Sequence, residues 1–330
     1  MAKDKKQTEQ DTPKIWVISD GTMGMLAQSL ALVQAMEMDF HDVRIFASPI
    51  YRLFPQLGAV PFMPISPRRS DRKLGPPWPE IVVTCGKRMA GAALAIKRLN
   101  GGKTKLVHIQ DPRINPAHFD VMIVPEHDEL AKAGYDHVIP SRGSLNRLTH
   151  QDIKKEAKLV KRTLRKTAQP ITAVMIGGHN RRYKAMPSDF KKLASQLRQF
   201  AKANNRFLYL ISSRRTPKGG LVALQDGLAD WPHQIWDGAG DNPYPGILGL
   251  AEEVIVTSDS VNMTCEACFT GLPVYTAYLR EETGRIALFH EQMQSHGHTK
   301  ILGEAFDKPP VILDQTKAIA EAVKQRLGLS

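Results

Sequence analysis

Short apolar runs alternate, along most of the chain, with stretches whose apolar residues recur every three or four positions. In the first half, IWVIS (15–19), VRIFA (43–47), EIVVT (80–84), KLVHI (105–109) and VMIVP (121–125) read as strands. GMLAQSLALVQAM (24–36) and RMAGAALAIKRL (88–99) carry the helical period. This alternation predicts βαβ units on a parallel sheet, and fully apolar strands predict a sheet covered on both faces. A strongly basic segment, 151–167, interrupts the pattern. It holds Ile153, Ala157, Val160 and Leu164 at helical spacing before AQPI (168–171) breaks it. Strands resume at ITAVMI (171–176), FLYLIS (207–212), HQIW (233–236), EVIVT (253–257) and PVYTA (273–277), with helices near 188–203, 218–229, 243–251 and 261–270. A last helix, about 316–328, follows KPPVILD.

The same architecture therefore occurs twice, as two doubly wound α/β domains. The expected division is a flexible basic tail (1–14), a first domain (15–165), a second domain (166–315) and a C-terminal helix (316–330) that crosses back to the first domain. Ligands in such sheets bind beyond the carboxyl ends of the strands, and two such domains facing each other make a cleft.

Composition narrows the classes. The chain has 330 residues, enough for two domains, and 42% hydrophobic with 24% charged residues is the balance of a soluble protein. No apolar run approaches the roughly 18–20 residues that span a bilayer. The start, MAKDKKQTEQDTPK, lacks the apolar core of a secretory signal, and its acidic residues argue against a transit peptide. Three cysteines give no disulfide framework, and the CxxC at Cys265 and Cys268 has no second Cys or His pair at zinc-like spacing nearby. No metal site is expected, and a reducing, cytoplasmic compartment fits.

The net charge is +12, with basic clusters at 66–73, 154–166, 179–184 and 212–218. Phosphorylated small ligands, an anionic membrane surface and nucleic acid all answer to such charge. Aromatic content of 7% without a stacking motif makes nucleic acid the least favoured.

Four loops after predicted strands carry the candidate chemistry. In SDGTMGMLAQS (19–29), Gly21 and Gly24 permit tight turns, and the following helix offers free amides and a positive dipole end. Gly21, Thr22, Gly24 and Gln28 are the candidate phosphate or acceptor residues there. In IGGHNRRY (176–183), Gly177 and Gly178 are expected to present amides, beside Asn180 and the cations Arg181 and Arg182. In SSRRTP (212–217), two hydroxyls beside two arginines at a strand's carboxyl end suit an anion, with Ser213 and Arg214 the candidate residues. In the fourth, Ser258, Asp259 and Ser260 end a strand, and Ser260 can cap a helix whose first amides, from Val261 and Asn262, point at an anion. Glu266 shares a helix face with Asn262, one turn on, where a carboxylate can accept two ribose hydroxyls.

SDSVNMTCEACFTGLPVY is similar to the nucleotide-binding helix of GT-B-fold glycosyltransferases and of their relatives, the UDP-N-acetylglucosamine 2-epimerases. Ser258, Asp259, Ser260, Glu266, Ala267, Gly271, Pro273 and Val274 match, while Val261-Asn262 replaces a Gly-Gly. Blocks over nearly the whole chain resemble the mitochondrial-fission ELM (elongated mitochondria) family, in a bacterial form: DGTMGMLAQSLALVQAM, CGKRMAGAALAIKRL, HIQDPRINPAHFDVMIVPEHD, GSLNRLT, IGGHN, SSRRTP and NPYPGILGLAEEVIVTSDSVNMTCEA. The resemblance implies a GT-B fold.

The leading expectation is a metal-independent glycosyltransferase that takes a nucleoside-diphosphate sugar, UDP-linked in the related enzymes, in the interdomain cleft. Gly177, Gly178, Arg214, Ser260, Asn262 and Glu266 would hold it, with helix dipoles and cations stabilising the departing diphosphate. Asp20 and Asp111 are the candidate general bases, ahead of His108 and His127. Lipid-linked GT-B enzymes often carry a His where this chain has Met25. The basic surface suits a peripheral position on the inner face of a membrane, near a lipid-linked acceptor. One alternative is a nucleotide-sugar epimerase, with IQDPR (109–113) supplying an acid. The other is a non-catalytic adaptor, fission-type or membrane-associated, that retains the fold. The oligomeric state stays open.

Overall fold

The computed structural model describes residues 15–46, 54, 70, 75–164, 167–180 and 182–329. The 1–14 tail, Ala47, the 66–73 cluster apart from Ser70, Arg165, Lys166 and Arg181 lie outside the described residues. The helices are α1 (Met23–Ala35), α2 (Lys87–Leu99), α3 (Glu129–Lys132), α4 (His150–Val160), α5 (Pro187–Asn204), α6 (Lys218–Gly227), α7 (Tyr244–Leu248), α8 (Val261–Phe269), α9 (Arg285–Ser295) and α10 (Thr316–Leu327). The chain forms two compact units, residues 1–147 with 315–330, and residues 148–314.

The first unit is built on β1 (Ile15–Ser19), β2 (Phe40–Arg44), β3 (Ile81–Cys85), β4 (Lys105–Ile109), β5 (Val121–Pro125) and β6 (Val138–Ser141). They form a parallel sheet in the order β2-β1-β3-β4-β5-β6. Alternate residues face opposite layers. Trp16, Ile18 and Val82 meet Ala90, Ala93 and Ile96 of α2, and Ile15, Val17 and Val83 meet Leu32 of α1. Helix α10 joins that second layer through Ile319, Ala320 and Val323, so the last helix belongs to the first unit's core. Burying Ile319 and Val323 is worth roughly 1.5–3 kcal/mol each, which gives the chain a reason to return.

The second unit holds β7 (Ile171–Ile176), β8 (Phe207–Ser212), β9 (His233–Trp236), β10 (Ala251–Thr257), β11 (Val274–Ala277) and β12 (Lys300–Ile301). Their parallel order is β12-β11-β10-β7-β8-β9. Helices α5 and α6 cover one face, while α7, α8 and α9 cover the other. Cys265 and Cys268 are buried in that second layer as small core residues.

The units divide at Arg147/Leu148, against the boundary expected at 165/166. The first part of the basic segment is α4, which packs on α7 through Ile153, Ala157 and Val160, where Gly246 and Gly249 leave room for close approach. Its lysines take the exposed side. Four elements carry weak sequence signals. Strand β6 contains Pro140 and sits at a sheet edge, where proline is tolerated; β12 has two residues, α3 has four, and the buried stripe of α9 includes a histidine. In each sheet the strand order reverses once, between β1 and β3 and between β7 and β10, and these reversals are where ligands of open α/β sheets bind.

Candidate functional site

At the second unit's reversal, three loops are tied together by side chains from their own strand ends. Thr257 Oγ1 accepts from Gly177 N at 2.8 Å and donates to Asp259 Oδ1 at 2.7 Å. Asp259 Oδ2 accepts from Gly178 N at 3.1 Å and pairs with Arg215 Nη1 at 2.6 Å. His179 N donates to Arg215 O at 2.8 Å, and Thr216 Oγ1 lies 2.7 Å from Gly177 O. The glycine amides are therefore spent inside the protein, against the expectation that they face a ligand. Both glycines answer to close approach. A Cβ on Gly177 would run into the Asp259 carboxylate, and one on Gly178 into the backbone carbonyl of Arg215.

Helix α8 starts from this tie. Ser260 is its N-cap, in extended conformation, with Oγ accepting from Met263 N at 3.5 Å. The amides of Val261 and Asn262 belong to the first turn, which has no intrahelical acceptor for them, and the dipole's positive end lies there. One turn on, Glu266 is partly buried, and Tyr244 OH donates to its Oε2 at 2.6 Å. Burial holds the Glu266 carboxyl above its ordinary pKa, with the Tyr244 hydrogen bond acting against it. Tyr244 thus occupies one oxygen of the carboxylate.

A second carboxylate lies deeper. Glu282, 1% exposed, accepts from Ser258 Oγ at 3.0 Å and Tyr183 OH at 3.2 Å, and pairs with Arg182 at 3.0 Å. Arg280 pairs with Asp189 at 2.9 Å and stacks over the Tyr183 ring, 5.6 Å from its centroid. Buried His290 donates from Nε2 to Ser258 O at 2.7 Å, and burial holds its imidazole below the usual pKa.

The expected residues of this unit divide accordingly. Ser260, Val261, Asn262 and Glu266 stand together at the start of α8, whereas Ser258 is wholly buried with its hydroxyl spent on Glu282. Asn180 turns inward, its Oδ1 accepting from Arg182 N and Tyr183 N. Ser213 closes its own turn, accepting from Arg215 N at 3.2 Å. Arg214 is exposed, and Arg215 takes the structural place beside Asp259. Sequence reasoning read Arg215 as one of two anion-binding arginines and not as the partner of Asp259, and it missed Tyr244, Arg280, Glu282 and His290. The missed residues come from segments whose proximity only the sheet order creates.

In the first unit, Asp20 lies at the β1/β3 reversal. Its Oδ1 accepts from Thr22 N at 3.0 Å, and its Oδ2 pairs with Arg88 Nη1 at 3.1 Å. Burial raises its pKa, but the Thr22 and Arg88 contacts together outweigh that and hold it below the usual range. A carboxylate so stabilised is a weak base. Asp111 pairs with Arg113 of its own loop at 3.0 Å. Strand β3 separates the strands carrying Asp20 and Asp111, two spacings or about 10 Å. Gly21 takes the positive φ of a tight turn, and Gly24 lies inside α1 rather than in the turn. Buried Gln28 donates to Gly24 O at 3.3 Å, back onto its own helix. His108 is wholly buried, 2.7 Å from Thr84 Oγ1, and burial pushes it down to about 3, so it is a neutral core residue. Met25 lies against Cys85, 3.4 Å between sulfurs.

Two parallel six-stranded sheets with alternating helices, each with a single reversal of strand order, define a GT-B-like protein of two Rossmann-type units. The UDP-GlcNAc 2-epimerase of Methanocaldococcus jannaschii, solved in complex with UDP-GlcNAc and UDP, has the same fold, with a TM-score of 0.57 over 96% of this chain and 99% of that one, at 14% identity.

The family model for mitochondrial fission ELM1 matches residues 23–327, and the chain belongs to that family. It is 27% identical over 279 residues to the mitochondrial fission protein ELM1 of Arabidopsis thaliana, covering 76% of this chain and 64% of the plant protein's length. It is 26% identical to the uncharacterized protein RP120 of Rickettsia prowazekii, over 96% of this chain and 99% of that one. Among the described residues, no helix is long and apolar enough to cross a membrane.

Proposed function

We propose that the second unit binds a nucleoside-diphosphate sugar and that the protein uses it as a glycosyl donor, without a metal. The observation that carries this reading is Glu266. Tyr244 steadies one oxygen at 2.6 Å, and the carboxylate stands one turn inside a helix that begins at the sheet's reversal. A ribose beside that turn would place its diphosphate at the Val261 and Asn262 amides. The deep Asp259 and Glu282 ties hold the loops in place before a ligand arrives, which lowers the cost of binding. Asp20 is the first unit's nominee for the acceptor's base, acting once Arg88 is drawn away.

An epimerase is a second reading, favoured by the fold shared with the M. jannaschii enzyme. Incubation with UDP-N-acetylglucosamine separates the two: the manno epimer supports epimerisation, and its absence removes that reading for this substrate. The pairing of Asp20 and Asp111 with arginines favours a third, an adaptor that binds without turnover. A thermal-shift panel of nucleoside diphosphates and nucleotide sugars tests what the first two share, because a ligand of the folded state raises the midpoint by mass action. UDP or a UDP-sugar is expected to raise it. No shift with any member of the panel would sink both.

A further inference from the structure

We propose that Arg182, Arg215 and Arg280 form a pre-set guanidinium face that seats the phosphate groups of the ligand at the carboxyl edge of the second sheet. The identity of the whole ligand rests on the nucleotide-sugar reading; the anion site does not.

Each arginine is pinned by a buried carboxylate. Arg182 is 38% exposed and pairs with Glu282 at 1%, Arg215 is 36% exposed with Asp259 at 0%, and Arg280 is 39% exposed with Asp189 at 10%. The three half-exposed heads thus share one construction. In Arg182 and Arg280 the approach to the carboxylate is through Nε, at 3.0 and 2.9 Å. Arg215 pairs through Nη1, which also lies 3.4 Å from Asp259 O. A planar fork whose inner edge is fixed has already lost its rotamer freedom, and its outer edge matches a phosphate in bidentate fashion.

The three belong to one network. Tyr183 donates to Glu282, which holds Arg182, and lends its ring face to Arg280. Ser258 donates to the same Glu282 and adjoins Asp259, which holds Arg215. Asp259 in turn adjoins Ser260, the cap of α8, so the face reaches the helix end where a diphosphate is favoured. Burying carboxylates is costly, and ordinary surface ion pairs do not need it. The cost is intelligible if the carboxylates aim the arginines. The face also supplies the donors that the spent amides of Gly177 and Gly178 do not.

The test is calorimetric titration of the full chain with inorganic pyrophosphate and, in parallel, with UDP. Arg182→Lys, Arg215→Lys and Arg280→Lys keep a cation beside each buried carboxylate and remove the fork. The double variant Asp189→Asn/Arg280→Gln removes a whole pair and leaves no buried charge behind. Lys158→Gln, on the exposed side of α4, is the control for general basic charge. Pyrophosphate is expected to bind the unaltered chain, and each fork-less variant to bind it about tenfold or more weakly. The ligand-free melting temperature should stay near its starting value and the control should keep full affinity.

No binding by the unaltered chain, full affinity in two or more of the lysine variants, or an equal loss in Lys158→Gln would each overturn the proposal. Suppose instead that pyrophosphate binding depends on the arginines, while UDP binds no tighter and Glu266→Gln changes nothing. The ribose reading then fails and the arginine face stands. UDP binding through Glu266 with arginine-independent pyrophosphate removes the face alone.

Discussion

Each sheet reversal carries an aspartate–arginine pair, and the two pairs are built differently. At β1/β3, Asp20 meets Arg88 at 3.1 Å, and its other oxygen takes the amide of Thr22 in its own turn. At β7/β10, Asp259 takes Arg215, the Gly178 amide and the Thr257 hydroxyl, with no exposure at all. The first is a turn whose carboxylate has one long-range partner. The second joins the loops after three strands, β7, β8 and β10. A pair held by one arginine can be opened by a substrate, whereas one holding three loops cannot move without unmaking them. On the proposed reading, pre-formed binding falls to the second reversal, and the chemistry, where a proton must move, falls to the first.

Removing each aspartate tests that contrast with the largest expected effect. Asp259→Ala strands the half-exposed Arg215, the buried Gly178 amide and the Thr257 hydroxyl, and should cost about 3 kcal/mol or more in denaturant unfolding of the second unit. Asp20→Ala should cost about 1 kcal/mol or less. Equal losses would erase the difference. Next in size is Gly177→Ala, whose new Cβ meets the Asp259 carboxylate; roughly 1–3 kcal/mol is expected, as for other overpacked sites. An unchanged melting temperature would mean the three-loop tie gives way easily.

The pH dependence sharpens the comparison further. The Asp20 pKa is lowered on folding, so its contribution is present above the unfolded value of about 3.9 and fades as pH falls through the lower folded value. Asp20→Asn should thus be destabilising at neutral pH, by under about 1 kcal/mol, and near neutral in strong acid. Glu266 has the opposite sign. Its pKa is raised on folding, so the stability it supplies is full below its unfolded pKa and is lost as pH rises through the folded one. Glu266→Gln should slightly stabilise the protein at neutral pH, with the gain vanishing in acid, while weakening any ribose contact. Such a gain is the trade that the proposed ribose contact of Glu266 predicts. Destabilisation at neutral pH would make Glu266 a structural residue.

Much of the fold was legible because the strands are buried on both faces and read as unbroken apolar runs, as in ITAVMI and FLYLIS. The helix carrying Glu266 was legible too, since a cap and a carboxylate one turn on are local in sequence. What escaped is non-local. Glu282 acts on Ser258 across 24 positions, and Arg280 on Asp189 across 91. No local pattern marks a buried carboxylate whose partners arrive from other strand ends. The same blindness explains Gly177 and Gly178, which read as open amides until Thr257 and Asp259 are seen to occupy them. The reading of 151–167 as a division also rested on charge, and Lys154, Lys155 and Lys158 of that stretch are the exposed face of α4.

If the second reversal holds a nucleoside diphosphate with Glu266 at the ribose, UDP titrated into the unaltered chain and into Glu266→Gln, side by side, separates the two proteins. Saturable binding is expected, weakened by about tenfold or more in the variant while the fold stays intact. Absence of UDP binding, or binding of equal strength in both proteins, would contradict it.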